Sequence, residues 1–229
     1  MSDLTLTDGE GVYTDTGSLS FRIVDERGEA LLYPPHQFVF EFYDGVTWID
    51  LLGGQFSLTG GEEANVTFST PNILPGDYPL RARYLGHSRY NASQAMAVLH
   101  VLKETPVPEP SDTQVQYTDR TTIVYTVLDD DGQVVPVNVL GLRLEYKTSD
   151  GTWYDLGATF TATSSNTGTA TFSAPDEPAG TYEMQMVYDG DAYYDVGNGT
   201  GILDVITEVT GVRYTGDTSG PYGLSLIHI

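Results

Sequence analysis

The densest set of hard oxygen donors in the chain is six aspartates: Asp129, Asp130 and Asp131 directly before Gly132, then Asp189, Asp191 and Asp195. Calcium takes roughly six to eight oxygens from carboxylates and carbonyls on flexible loops, so these six are the candidate metal ligands. A local role competes. Aspartate before glycine is what a tight turn asks for, because the carboxylate caps nearby amides and glycine accepts a left-handed backbone. No twelve-residue calcium loop closed by a glutamate follows. Turn formation is therefore the expected main role, with no required cofactor and calcium binding in the millimolar range at most.

Trp48 and Trp153 each follow an Asp-Gly turn and stand two residues before an aspartate, Asp50 and Asp155. An exposed indole beside acids could stack on a sugar ring, which makes the pair the candidate carbohydrate contact. Recurrence at one position fits a core or sheet-edge anchor better. Catalysis has little to stand on. The four histidines, His36, His87, His100 and His228, do not recur in register, and with no cysteine there is no thiol nucleophile. Neither Gly-x-Ser-x-Gly, nor His-Glu-x-x-His, nor a phosphate-binding glycine loop is present. Asn65, Asn91 and Asn198 fit the N-glycosylation pattern, but in a Thr- and Ser-rich chain such matches arise by chance.

The elements that must position these residues repeat. Asp25-Glu26-Arg27-Gly28 returns as Asp129-Asp130-Asp131-Gly132, 104 residues on. At the same spacing Tyr13-Thr14-Asp15 returns as Tyr117-Thr118-Asp119, Gly76 and Tyr78 as Gly180 and Tyr182, and Leu99 and Val101 as Leu203 and Val205. Two homologous modules are expected, at 1–105 and 112–208. Between them, 106–111 carries alternate prolines and is expected to form a semi-rigid polyproline II spacer. Val212-Arg213-Tyr214-Thr215 opens a third, truncated repeat at 209–223. The terminal hexapeptide 224–229 resembles the translated end of a sequencing adapter and is expected to be read-through, so that Met1 need not be the true start.

Within each module apolar residues alternate with polar ones in short runs bounded by Gly, Pro, Asp and Asn. Leu19, Phe21 and Ile23 form one such face, and Phe38, Phe40 and Phe42 another, followed by Tyr78, Leu80, Ala82 and Tyr84. The second module matches with Ile123, Tyr125 and Val127; Leu142, Leu144 and Tyr146; and Tyr182, Met184, Met186 and Tyr188. About seven half-buried strands in roughly 100 residues is the arithmetic of an all-β antiparallel sandwich of the immunoglobulin type. Gly-x-Tyr at the sixth strand adds a tyrosine corner, in which the hydroxyl ties back to upstream backbone.

These marks, together with Asp-x-x-Gly after the second strand, Asp-Gly with Trp mid-domain, and Tyr-x-Gly-x-x-x-Tyr at 84–90 and 188–194, resemble tandem bacterial or archaeal Ig-like repeats of large surface and secreted proteins. The resemblance covers 10–208. It implies a non-enzymatic structural or adhesion segment, a spacer or stalk, in an extracellular or cell-surface protein. The partners it implies are neighbouring repeats of the same chain and a surface glycan or protein ligand. A calcium- or carbohydrate-binding accessory module is the alternative. Charge narrows the partners further: 10 Lys+Arg against 32 Asp+Glu leave −22, which repels nucleic acid and anionic lipid. No apolar run approaches the roughly 18 residues that would span a bilayer.

Overall fold

The computed structural model describes residues 3–31, 37–51, 63–136, 141–209 and 211, and every named element is a strand. Module one holds β1 (Asp3–Leu6), β2 (Gly9–Val12), β3 (Thr16–Val24), β4 (Phe38–Tyr43), β5 (Trp48–Asp50), β6 (Ala64–Ser69), β7 (Gly76–Tyr84) and β8 (Ser93–Leu102). Module two holds β9 (Val107–Pro110), β10 (Thr113–Gln116), β11 (Arg120–Leu128), β12 (Leu142–Lys147), β13 (Trp153–Asp155), β14 (Thr159–Ala162), β15 (Thr167–Ser173), β16 (Gly180–Tyr188) and β17 (Gly197–Ile206).

Module two has two sheets, ordered β10-β17-β16-β12-β13 and β14-β15-β11-β9. Module one repeats them as β2-β8-β7-β4-β5 and β1-β3-β6, which one pairing, Glu10 with Ser18, connects. Two strand pairs run parallel, β2 with β8 and β10 with β17, and the other pairs among the described strands are antiparallel. The expected faces point inward. Phe40, Leu80, Leu99, Leu144, Met184 and Leu203 are fully buried, and Phe21 packs its ring against Phe38 and Phe40 at 4.8 and 5.1 Å. Both tyrosine corners form: the hydroxyls of Tyr78 and Tyr182 donate to the carbonyls of Leu74 and Pro178, each at 2.6 Å.

The proline segment is built into module two. Expected to stand free as a spacer, 106–111 instead carries β9, an edge strand paired with β11 from Pro110–Tyr125 to Val107–Leu128. Alternate prolines suit this place, since an edge strand can leave their missing N–H on the unpaired side. Pro106, Pro108 and Pro110 are buried while Glu109 is exposed. Their room comes from β17. A Cβ on Gly197 or Gly199 would collide with the carbonyl oxygens of Pro106 and Pro108, so only glycine lets the two backbones meet. Module two therefore begins where module one ends. The expected third repeat at 209–223 lies outside the described residues except for Val209 and Gly211, and 224–229 lies wholly outside them.

Candidate functional site

With no free linker, the end of module one is pressed against the first loops of module two. Between β2 and β3 the chain turns at Tyr13-Thr14-Asp15, with Thr14 held at φ 74°. A β-branched residue in the left-handed region is strained by about 1–3 kcal/mol, and here neighbouring bonds hold it. The Asp15 amide donates to Val12 O at 3.1 Å and Thr70 N donates to Asp15 O at 2.8 Å. Just past β8, the Glu104 amide donates to Tyr193 O at 3.2 Å and its carbonyl accepts from Asp195 N at 2.8 Å. These bonds stitch module one to the β16–β17 loop. Tyr13 seals the same joint, its ring 5.0 Å from Tyr193 and 5.8 Å, edge-on, from Tyr194.

Across the joint stands Asp129, at the end of β11, whose Oδ1 accepts from the amide of Gln133 while Gly132 takes φ 78°. This is the expected turn chemistry. It also delivers a carboxylate to the interface, where Asp15, Glu104 and Asp129 each place one oxygen within 4.8 Å of the others. Glu104 is 1% exposed and Asp129 4%. Glu104 Oε1 accepts from the Thr105 amide at 2.7 Å, whereas Oε2 is buried with no hydrogen-bond partner. Burial, and then the negative charges of Asp15, Asp130 and Asp129, push the Glu104 carboxyl up to about 7. Burial, followed by Asp131, Asp129 and Asp130, raises Asp15 as well.

Of the six candidate metal ligands, only Asp129 enters this cluster. Asp130 and Asp131 are exposed on the same turn. The β16–β17 loop lies at the same end of module two, but its acids are engaged elsewhere. Asp189 pairs with Arg143 Nη1 at 2.9 Å. Asp191 Oδ1 accepts from the amides of Tyr193 and Tyr194 at 2.7 and 2.9 Å, and its Oδ2 from the Tyr188 hydroxyl at 2.8 Å. Burial opposes ionisation of Asp191, yet these donors hold its carboxyl below the usual range. Asp195 faces Lys103 Nζ at 4.0 Å. The residues that sequence reasoning did not single out, Asp15 and Glu104, come from the other module. Their signal was the repeat itself, since both recur 104 residues on as Asp119 and Glu208.

Trp48 and Trp153 occupy one position in the two modules, on the edge strands β5 and β13, and both are half-buried. Arg81 lies over the Trp48 ring at 4.1 Å, and Lys147 over the Trp153 ring at 5.2 Å. A cation thus occupies one face of each indole. Glu41 fixes Arg81 at 2.7 Å and Arg83 at 2.8 Å, and although burial works against its ionisation, the two arginines hold its carboxyl below the ordinary range.

The fold is a tandem of immunoglobulin-like sandwiches. No protein-family model matches the chain, and no curated protein matches its sequence. Among solved structures, an I-band fragment of titin is 12% identical over 91% of this chain, with a TM-score of 0.42; the chain spans 66% of that fragment's length. The Escherichia coli adhesin FdeC is 13% identical over 90% of this chain and 64% of its own, at TM-score 0.35. The N-terminal Ig1-2 module of the Drosophila receptor protein tyrosine phosphatase DLAR is 10% identical over 90% of this chain and 98% of its own, at TM-score 0.29.

Proposed function

We propose that this chain is a non-catalytic structural repeat segment that acts as a spacer or stalk in a larger surface or secreted protein. The observation that carries this reading is the joint. Two copies of one sandwich are set end to end without a free linker, because β9 belongs to module two while Glu104, two residues before the proline segment, bonds to Tyr193 and Asp195. A segment so built fixes the distance and angle between its neighbours, which is what a spacer must do. Its partners on this reading are adjoining repeats of the same chain, together with a glycan or protein at the distal end. High acidity keeps a crowded array of such modules apart and soluble.

Small-angle scattering on the full chain tests the reading. One elongated conformer, unchanged between 0.05 and about 0.5 M NaCl, where screening removes long-range repulsion, is expected. Scattering that requires an ensemble of bent and extended forms would defeat it.

A further inference from the structure

We propose that Asp15, Glu104 and Asp129 form a calcium-class divalent cation site that locks module one onto module two. The inference stands on the geometry of the joint and does not depend on the spacer reading.

Calcium–oxygen distances of about 2.3–2.6 Å place opposite ligands of one ion roughly 4.6–5.2 Å apart. Three carboxylate oxygens lying within 4.8 Å of one another therefore fit one coordination sphere. Acids gather on many surfaces without an ion, so proximity alone decides nothing. Glu104 decides it. A 1% exposed carboxylate whose Oε2 has no donor is costly, because a buried acceptor loses its water and gains nothing in return. Asp15, Glu104 and Asp129 form no ion pair among the described residues, and the nearby Lys103 Nζ instead donates to Asp191 O at 2.6 Å. A bound cation would supply the missing partner of Oε2 and neutralise the repulsion that Asp15, Asp130 and Asp129 exert on Glu104. The Thr105 amide on Oε1 and the Gln133 amide on Asp129 Oδ1 orient two of the ligands before any ion arrives. Waters complete the shell.

The arrangement is also periodic. Asp119 and Glu208 stand at the far end of module two as Asp15 and Glu104 stand at the far end of module one, and the Thr118 hydroxyl donates to Glu208 Oε2 at 3.0 Å. The turn around Asp119 repeats that around Asp15, with Thr118 at φ 71° and Ala174 N donating to Asp119 O at 2.8 Å. Each module thus presents two acids at one end, and Asp25 and Asp129 are the matching third acid at the other. Neither end is a complete site alone. A cation there binds only where two modules meet, and so reports and stabilises their docking.

Terbium, whose emission is sensitised by nearby tyrosine, is the probe, since Tyr13, Tyr193 and Tyr194 line the joint. Titrated into the chelator-stripped full chain at pH 7.5, terbium is expected to luminesce and to be displaced by calcium with a Kd of about 0.1–1 mM. Glu104→Gln and Asp129→Asn are each expected to weaken calcium at least about tenfold, a change of roughly 1.4 kcal/mol. Asp25→Asn and Asp189→Asn are expected to leave it within about twofold. Glu104→Gln keeps the Thr105 bond and removes a buried charge, so in EDTA it should melt no lower than the parent, which separates lost binding from lost fold. Asp15→Asn provides a third isosteric variant should either of the others fail to fold. Calcium affinity unchanged in Glu104→Gln and Asp129→Asn, or lost only on changing exposed Asp130 and Asp131, would overturn the proposal.

Discussion

Asp25-x-x-Gly28 and Asp129-x-x-Gly132 are the same turn in two settings. In both, the aspartate caps backbone amides: Asp25 Oδ1 accepts from Arg27 and Glu29 at 2.8 and 3.0 Å, and Asp129 Oδ1 from Gln133. In both, glycine takes a left-handed φ, 82° and 78°. Asp129, however, is buried against Glu104 of the neighbouring module, whereas Asp25 joins no such acidic cluster among the described residues. The turn is thus a property of the module, whereas the acidic cluster is a property of the pair. Comparing the modules elsewhere separates what the sandwich needs from what the joint needs.

The largest effect should show that the modules have separate cores. Phe40 and Leu144 hold one structural position, both fully buried. Phe40→Ala should cost module one about 3–5 kcal/mol and Leu144→Ala should cost module two about 2–5 kcal/mol. Calorimetry in EDTA should resolve two transitions, each variant lowering mainly its own. A single transition that moves equally with either change would show that the joint couples the cores.

A smaller effect tests the seat of β9. Gly199 is matched in module one by Ala95, where the strand tolerates a side chain. Gly199→Val forces the valine onto Pro108 O and should cost about 1–3 kcal/mol, with faster amide exchange in β9. Ala95→Val should change the same probes little. Equal losses would mean that the glycines of β17 serve something other than the approach of β9.

The pH dependence divides the joint from the sheets. The Glu104 carboxyl sits near 7 in the folded chain against an ordinary 4.5, so its protonated form is favoured by folding. Its contribution is fully present below about pH 4.5 and is lost as pH rises through about 7. The groups facing it are Asp15 from the β2–β3 turn, Asp129 and Asp130 from the turn after β11, and Tyr194, whose hydroxyl burial pushes up to about 12. Without divalent ions, melting temperature should fall from pH 5.5 to pH 8, and Glu104→Gln should flatten that slope. An unchanged slope would place the titrating group elsewhere.

The smallest effect lies on the outer face. Asp77 faces His100 in module one, with Oδ1 2.7 Å from Nδ1, and the matching pair in module two is Thr181 donating to Asp204 at 2.7 Å. The hydrogen bond to Asp77 raises His100 above its ordinary value, so its stabilisation is present below about pH 6.5 and is lost as pH passes the folded value. Module one should weaken slightly over that window and module two should not. His100→Thr, read by NMR titration and by the module-one transition, should abolish the difference.

Much of the fold was legible because a half-buried strand writes its burial into every second residue. Phe38, Phe40 and Phe42 could face only one way, and Tyr78 and Tyr182 marked their own corner bonds. The spacer was misread for a physical reason. Proline fixes φ near −65°, which suits both polyproline II and an edge strand, and what decides between them is Gly197 and Gly199, far along the chain in β17. The site was half legible on similar grounds. Asp129 lay in a visible cluster, but no local pattern says that Asp15 and Glu104 will meet it across a boundary.

The parallel pairing of β2 with β8 carries a mechanical consequence. Module one is entered through β1 and β2 and left through β8, and Gly9 to Val12 run beside Leu99 to Leu102 in the same direction. Tension along the chain draws these strands past each other lengthwise, so their hydrogen bonds share the load and fail together instead of peeling one by one. The pairing of β10 with β17, Thr113 to Gln116 beside Leu203 to Ile206, gives module two the same shear clamp. In a pulled array, each module would hold its length up to a threshold force and then give way abruptly.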